Sequence, residues 1–149
     1  MKVLMVCLGN ICRSPLAHGI LRDKTSHLKW EIDSAGTSAF HEGEGPDPRS
    51  VAIGRKHGVS IRDLVARNFE VNDFDLFDAI YVMDQANYNN VISLARTEDD
   101  KEKVKLILNE LESSSNAEVP DPYYGGDQGF ENVFQMLDEA TDVILKKYG

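Results

Sequence analysis

Cys7 and Arg13 stand six positions apart, with Gly9 and Asn10 between them and Ser14-Pro15 directly after. The apolar run at 2–6 reads as a short buried strand. Ser14-Pro15 reads as a helix N-cap followed by proline at the first helical position. A strand, a tight loop and a helix start gather backbone N–H groups into a nest that suits an anion. This nest carries a thiol at its base and a guanidinium at its rim. Cysteine attacks only as the thiolate, and loop amides, a helix N-terminus and Arg13 all favour that charge. Arg13 can also hold two phosphoryl oxygens side by side, which a lysine cannot do. The combination points to covalent phosphate chemistry. The loop has no Gly-Lys-Ser/Thr and no obvious magnesium carboxylate, so a nucleotide kinase is disfavoured.

Elements able to hold such a loop follow along the chain. A helix is expected over 14–27, with Leu16, Ala17, Ile20 and Leu21 forming its apolar stripe, and a second strand over 30–34. A glycine-bearing loop over 35–46 leads to Asp47-Pro48, a second cap-plus-proline signal, and that helix should stop at His57-Gly58. A short helix over 73–77 precedes a third strand at 79–83, and Asp84 can cap a helix to about residue 94. A fourth strand is expected at 104–108, a Ser/Pro/Gly-rich loop at 112–126 and a long amphipathic helix at 127–148. Strands alternating with helices predict an α/β fold, a parallel sheet covered on both faces by right-handed crossovers. Ligands of such sheets bind beyond the carboxyl ends of the strands, where the cysteine loop lies.

The 149 residues suffice for one domain, 1–149, with a full core. Residues 1–30 hold five Lys/Arg against Asp23, a balance of +4, which leaves −13 for the rest of a chain whose net charge is −9. Such a chain is a poor nucleic-acid binder, so an anionic substrate must be captured locally. No apolar run is long enough for a membrane span, and the first breaks at Gly9-Asn10, too early for a signal peptide. A cytoplasmic protein with reduced thiols is expected. Cys7 and Cys12 are the only cysteines, and a structural disulfide between them would close a very small ring. His18, His27, His41 and His57 lack metal-ligand spacing, so no metal and no cofactor are expected.

The run C-x5-R-S with Gly9, Asn10 and Cys12 resembles the low-molecular-weight protein tyrosine phosphatases. The resemblance extends to IDSAG at 32–36, PDPR at 46–49, VMD at 82–84 and DPYYG at 121–125, in the family's order. It implies a three-layer fold whose four parallel strands run in the order 2-1-3-4, with the phosphate loop after strand 1. It implies that Cys7 attacks phosphorus and becomes phosphocysteine, while Arg13 and the loop amides bind the transferring group. By the same resemblance Ser14 donates to the thiolate, Asp121 is general acid and then base, and Asn10 and Ser34 brace the loop. Leu8, Ile11, Phe40, Tyr123 and Tyr124 would line a slot for the phenyl ring, with Gly9, Asn10, Cys12 and Ser14 beside the phosphate. Cys12 would be a redox partner for Cys7. The partner is a phosphotyrosine-containing protein, met by a monomer or weak homo-oligomer. In one departure, the segment 61–67 (IRDLVAR) lacks the histidine that relatives carry in their loop-bracing network.

Simpler readings attach to the remaining residues. His57 is a helix C-terminal cation, and His18, His27 and His41 read as surface residues. Asp84 reads as a cap, and EDDKE at 98–102 as a solvated face. Two enzymatic rivals share the loop. Arsenate reduction needs a further cysteine outside it, which this chain lacks. Phosphoarginine phosphatases resemble the chain but carry threonine where Ile11 stands, and isoleucine packs an aryl ring without bonding a guanidinium. A phosphate-binding module would need neither thiolate nor acid.

Overall fold

The strand that carries Cys7 is buried on both faces, and the architecture follows from that. The computed structural model describes residues 1–124 and 126–149, Tyr124 by its backbone alone. Strands β1 (Lys2–Cys7), β2 (Glu31–Gly36), β3 (Ala79–Val82) and β4 (Val104–Leu106) form one parallel sheet in the order β2-β1-β3-β4. Side chains alternate across a strand. Val3, Met5 and Cys7, with Ala79 and Tyr81, enter the core on one face. Leu4, Val6, Ile80 and Val82 enter the core on the other. Both faces being covered, β1 reads as an unbroken apolar run rather than an alternating one.

Helices α1 (Arg13–Lys24), α2 (Pro48–Lys56) and α6 (Gly126–Tyr148) supply the first core with residues such as Leu16, Ile53, Phe130 and Leu137. The short α3 (Asp73–Leu76) and α4 (Gln85–Ile92) supply the second with Phe74 and Val91, and α5 (Glu98–Glu102) precedes β4. This is the covered parallel sheet that the residue pattern predicts, in the three-layer arrangement and strand order that the resemblance implies. After β1 the chain passes to β2 on one side and later to β3 on the other. The loop after β1 therefore opens where the strand order reverses, the position open α/β sheets use for ligands.

Local signals fix the helix starts. Asp47 accepts from the Arg49 amide with Pro48 at the first position of α2, and Asp84 and Asn87 form a reciprocal capping box on α4. Several boundaries differ from the sequence reading. Helix α1 begins at Arg13 with Cys12 as its N-cap residue, so Ser14 lies inside the first turn and does not cap it. That helix ends at Lys24 because the Thr25 hydroxyl and amide return to the Leu21 and Arg22 carbonyls. Strand β2 extends to Gly36, whose amide and carbonyl bond Arg67 and Phe69. Strand β4 stops at Leu106, because Ile107 and Leu108 turn into a 3-10 helix. Residues 98–102 form helix α5 instead of a plain solvated run, and Asp100 is buried against Arg96.

Candidate active site

The loop from Cys7 to Arg13 is built around an asparagine in the left-handed conformation. Asn10 has φ of 55°, a backbone state that asparagine tolerates better than most residues. Its side chain is bonded at both ends: Nδ2 donates to Ser14 Oγ at 2.7 Å, and Oδ1 accepts from the Arg67 amide at 3.1 Å. Gly36 lies directly beneath, where a Cβ would stand 2.8 Å from the Leu8 carbonyl oxygen. Among the described residues, the amides of residues 9–11 donate to no main-chain acceptor. They remain available to an anion.

Cys7 is 2% exposed, and its sulfur lies 3.0 Å from Ser14 Oγ. Arg13 is 3% exposed. Its Nη1 donates to Asp84 Oδ2 at 2.8 Å and to the Val119 carbonyl at 3.0 Å, and its Nη2 lies 3.9 Å from Asp121 Oδ2. Burial works against its charge, but Cys7, Asp84 and Asp121 outweigh burial and hold its pKa above the ordinary arginine range. Asp84 is thus both a helix cap and the anchor that aims the guanidinium. Cys12 behaves differently from a nucleophile. Burial, with the Asp47 charge second, pushes its thiol up to about 12, so it stays protonated at neutral pH.

Cys7, Cys12, Arg13 and Asp121 share a cleft of about 420 Å³ with Leu8, Gly9, Ile11, Ser38, Phe40, His41 and Tyr123. Larger grooves exist, including one of about 810 Å³ along Val104, Lys105 and Lys147, but it holds neither a thiol nor a buried guanidinium. The floor of the 420 Å³ cleft is polar and its walls are apolar. Leu8 is 49% exposed and Phe40 85% exposed at its mouth. Asp121 is solvent-accessible, with Oδ1 accepting from the Tyr123 amide at 3.0 Å. A thiol, a guanidinium and a carboxyl group therefore converge on one slot with apolar walls, the set of groups that phosphoryl transfer to sulfur would use.

A family model described as low molecular weight phosphotyrosine protein phosphatase matches residues 2–148. The chain belongs to this family. It is a protein-tyrosine phosphatase, and so a hydrolase. The low molecular weight protein-tyrosine-phosphatase of Streptomyces coelicolor is 40% identical, over 97% of this chain and 91% of its own. Among solved structures, a protein tyrosine phosphatase from Entamoeba histolytica with Hepes in its active site superposes with a TM-score of 0.91 at 38% identity, covering 99% and 96% of the two chains. A Drosophila arginine phosphatase reaches the same TM-score at 30% identity, covering 99% and 98%.

Within this phosphatase the expected site residues separate into two sets. Cys7, Leu8, Gly9, Ile11, Cys12, Arg13, Phe40, Asp121 and Tyr123 lie on the cleft. Asn10 and Ser14, expected beside the phosphate, are buried and bonded to each other, and Ser14 is bonded in turn to Cys7. The Tyr124 side chain falls outside the described residues. Among the described residues, Ser34 makes no side-chain hydrogen bond to the loop. Its hydroxyl meets His18 Nδ1 at 2.9 Å and its amide donates to Asp33 Oδ1 at 2.8 Å. Arg67 then links Asp33 Oδ2, at 3.0 Å, to Asn10.

Two of the histidines read as surface residues are corrected. His18 is buried on α1, and burial, with the Arg22 charge second, lowers its pKa to about 4. The ring beside Ser34 therefore comes from α1, while the 61–67 segment contributes the Arg67 amide and guanidinium to the loop's support. His41 is half-buried, lines the cleft and bonds Glu44 Oε2 at 2.7 Å. His27 is exposed, as expected. His57 caps α2 but also stacks on Phe134 and meets Glu131 at 2.8 Å. Sequence reasoning missed Ser38 and Arg67 outright. Only the position of Ser38 just past IDSAG, and of Arg67 in the departing segment, could have drawn attention to them.

Proposed function

We propose that this phosphatase hydrolyses phosphotyrosine in proteins, without a metal, through a phosphocysteine on Cys7. The observation that carries the reading is the convergence of Cys7, Arg13 and Asp121 on one cleft with apolar walls. The Cys7 sulfur attacks phosphorus in line as the P–O bond to tyrosine breaks. Asp121 gives its proton to the leaving phenolate oxygen. Arg13 and the loop amides bind the three equatorial oxygens, whose charge changes most in a loose transition state. In the second step water attacks phosphorus, Asp121 takes its proton, and the P–S bond breaks. The sulfur leaves as thiolate, stabilised by the Ser14 O–H 3.0 Å away.

The balance of forces selects an aryl substrate. Leu8, Ile11, Phe40 and Tyr123 give the slot an apolar wall, and Ile11 offers no hydrogen bond to a guanidinium. Phosphotyrosine is therefore favoured over phosphoarginine. Both cysteines are free thiols, and no helix among the described residues is long and apolar enough to cross a membrane. We place the enzyme in the reducing cytoplasm on that thiol chemistry, acting as a monomer or weak homo-oligomer. Cys12 supports a protective role: a peroxide oxidises Cys7 to a sulfenic acid and is itself reduced to water, and attack of the Cys12 sulfur then forms a disulfide and releases a second water.

The test is hydrolysis of para-nitrophenyl phosphate, a phosphotyrosine peptide and a phosphoarginine peptide in excess EDTA, by wild type and Cys7→Ser. Turnover of the first two that vanishes in the variant supports the proposal. Preference for phosphoarginine overturns the substrate assignment, and loss of activity in EDTA overturns the metal-free chemistry.

A further inference from the structure

Asp121 sits on a turn whose two ends are each held through a backbone carbonyl by an arginine. At one end Arg13 Nη1 donates to the Val119 carbonyl at 3.0 Å, and the Val119 amide donates to the Met83 carbonyl at 2.8 Å. At the other end Arg49 Nη1 donates to the Tyr123 carbonyl at 2.8 Å. The Tyr123 amide donates back to Asp121 Oδ1 at 3.0 Å, so the orientation of the carboxyl group depends on where Tyr123 is held.

Arg49 is not on the cleft. It occupies the first turn of α2, and its guanidinium is fixed from several directions. Nε donates to Asp47 Oδ1 and Nη2 to Asp47 Oδ2, both at 3.0 Å, a bidentate pair. The carbon of the guanidinium lies 5.0 Å from the centre of the Tyr123 ring and 4.8 Å from that of Phe130. Asp47 in turn belongs to the nucleophile's side of the site. Its amide donates to the Ile11 carbonyl at 2.8 Å, and one turn on, Ser50 Oγ donates to the Cys12 carbonyl at 3.4 Å. A continuous path thus runs from the cysteine loop through Asp47 and Arg49 to the turn that carries the acid.

We propose that Arg49 is a positioning residue that fixes the Asp121 carboxyl relative to the Cys7 loop, by tying the Tyr123 carbonyl to Asp47. The inference rests on Asp121 acting as the general acid. Only arginine fits the role. Its planar fork can satisfy Asp47 with two N–H groups and still donate a third to Tyr123, while stacking on two rings. A lysine would have a single point of contact. A misplacement of about 1 Å costs on the order of 10²-fold when a proton must be delivered to a particular atom. It costs little when the leaving group departs unaided.

Leaving-group dependence separates this role from a structural one. Arg49→Met, Arg49→Lys, Asp121→Asn and the Arg49→Met/Asp121→Asn double variant are compared with wild type on phenyl phosphate and on dinitrophenyl phosphate. Melting temperatures are recorded alongside. Arg49→Met should lose roughly ten- to hundredfold on phenyl phosphate in kcat/KM, which reports formation of the phosphocysteine and not its hydrolysis, yet less than about threefold on dinitrophenyl phosphate, whose leaving group needs no proton. Arg49→Lys should fall between Arg49→Met and wild type. In the Asp121→Asn background the Arg49 change should add no further loss on phenyl phosphate. Equal losses of Arg49→Met on both substrates, or full additivity in the double variant, would overturn the inference while leaving the acid in place. If Asp121→Asn itself shows no leaving-group dependence, the acid assignment fails first and the role of Arg49 falls with it.

Discussion

Ser14 Oγ lies 3.0 Å from the Cys7 sulfur and 2.7 Å from Asn10 Nδ2, so one hydroxyl joins the nucleophile to the residue that turns its loop. Because Asn10 donates to that oxygen, the Ser14 proton is free to point at sulfur. In the first step of the proposed mechanism this hydrogen bond would stabilise the attacking thiolate. In the second it would stabilise the same thiolate as it departs, when negative charge returns to sulfur. Donors aimed at developing charge in a buried site are worth more than the same bond in water.

Replacing Ser14 by alanine should therefore slow breakdown of the phosphocysteine more than its formation. The expected loss in kcat is about 10²-fold, the scale of losing one preorganised donor. Rapid-quench experiments with labelled substrate should trap more phosphoenzyme in Ser14→Ala than in wild type. An unchanged steady-state level of phosphoenzyme would remove Ser14 from the second step.

Asp121 reaches the cleft from the turn after Val119, 3.9 Å from Arg13 Nη2. Asp121→Asn keeps the size and the ability to accept from the Tyr123 amide but has no proton to give. The kcat/KM on a phosphotyrosine peptide, which reports the first step, should drop about 10²–10⁴-fold, with a much smaller drop on dinitrophenyl phosphate. Equal losses on the two would mean that the residue shapes the cleft rather than delivering a proton.

The sequence carried the parts of this site whose determinants are local. Asp47-Pro48 and Asp84 announce the helices they cap, and the apolar run of β1 announces a strand buried on both sides. What was not legible depends on partners distant in sequence. Ser-Pro reads as a cap, yet the Ser14 hydroxyl is claimed by Cys7 and Asn10, which the loop folds back onto it. His18 reads as a surface residue because its partner Ser34 is on a different element. Asp100 sits in a run of charges and is nevertheless buried, because Arg96 reaches it from the preceding loop. In each case a tertiary partner decides a side chain's direction after the local pattern has left it open.

Cys12 is the second thiol of the loop, buried, and pushed up to about 12. At neutral pH it should resist iodoacetamide, and mass spectrometry of the treated native enzyme should find no adduct on it. Its function should appear only after oxidation. Peroxide should inactivate the wild type, with activity returning on dithiothreitol, whereas Cys12→Ser should recover poorly because unprotected Cys7 oxidises further. Equal recovery of the two proteins would sink the protective disulfide.

His18 makes the stability of the fold depend on pH in a window where few other groups titrate. Its folded pKa is lowered from 6.5 to about 4 by burial and by the Arg22 charge. Between those values the unfolded chain binds a proton that the folded protein rejects. Stability is therefore fully present above about pH 6.5 and declines as the pH falls toward 4, by up to about 3 kcal/mol for such a shift. Carboxylates held low by arginine partners, such as Asp63 by Arg22 and Asp47 by Arg49, also lose stabilisation in acid. Their losses come as pH falls through their own lowered values, and they are shared by any variant that keeps those pairs. His18→Asn preserves a polar partner for Ser34 but cannot bind a proton. Urea midpoints measured from pH 7.5 to 4.5 should fall more steeply for wild type than for His18→Asn, the two curves converging at the acid end. Parallel curves would mean that His18 takes up its proton in the folded protein as readily as in the unfolded chain, and that burial does not hold the ring neutral.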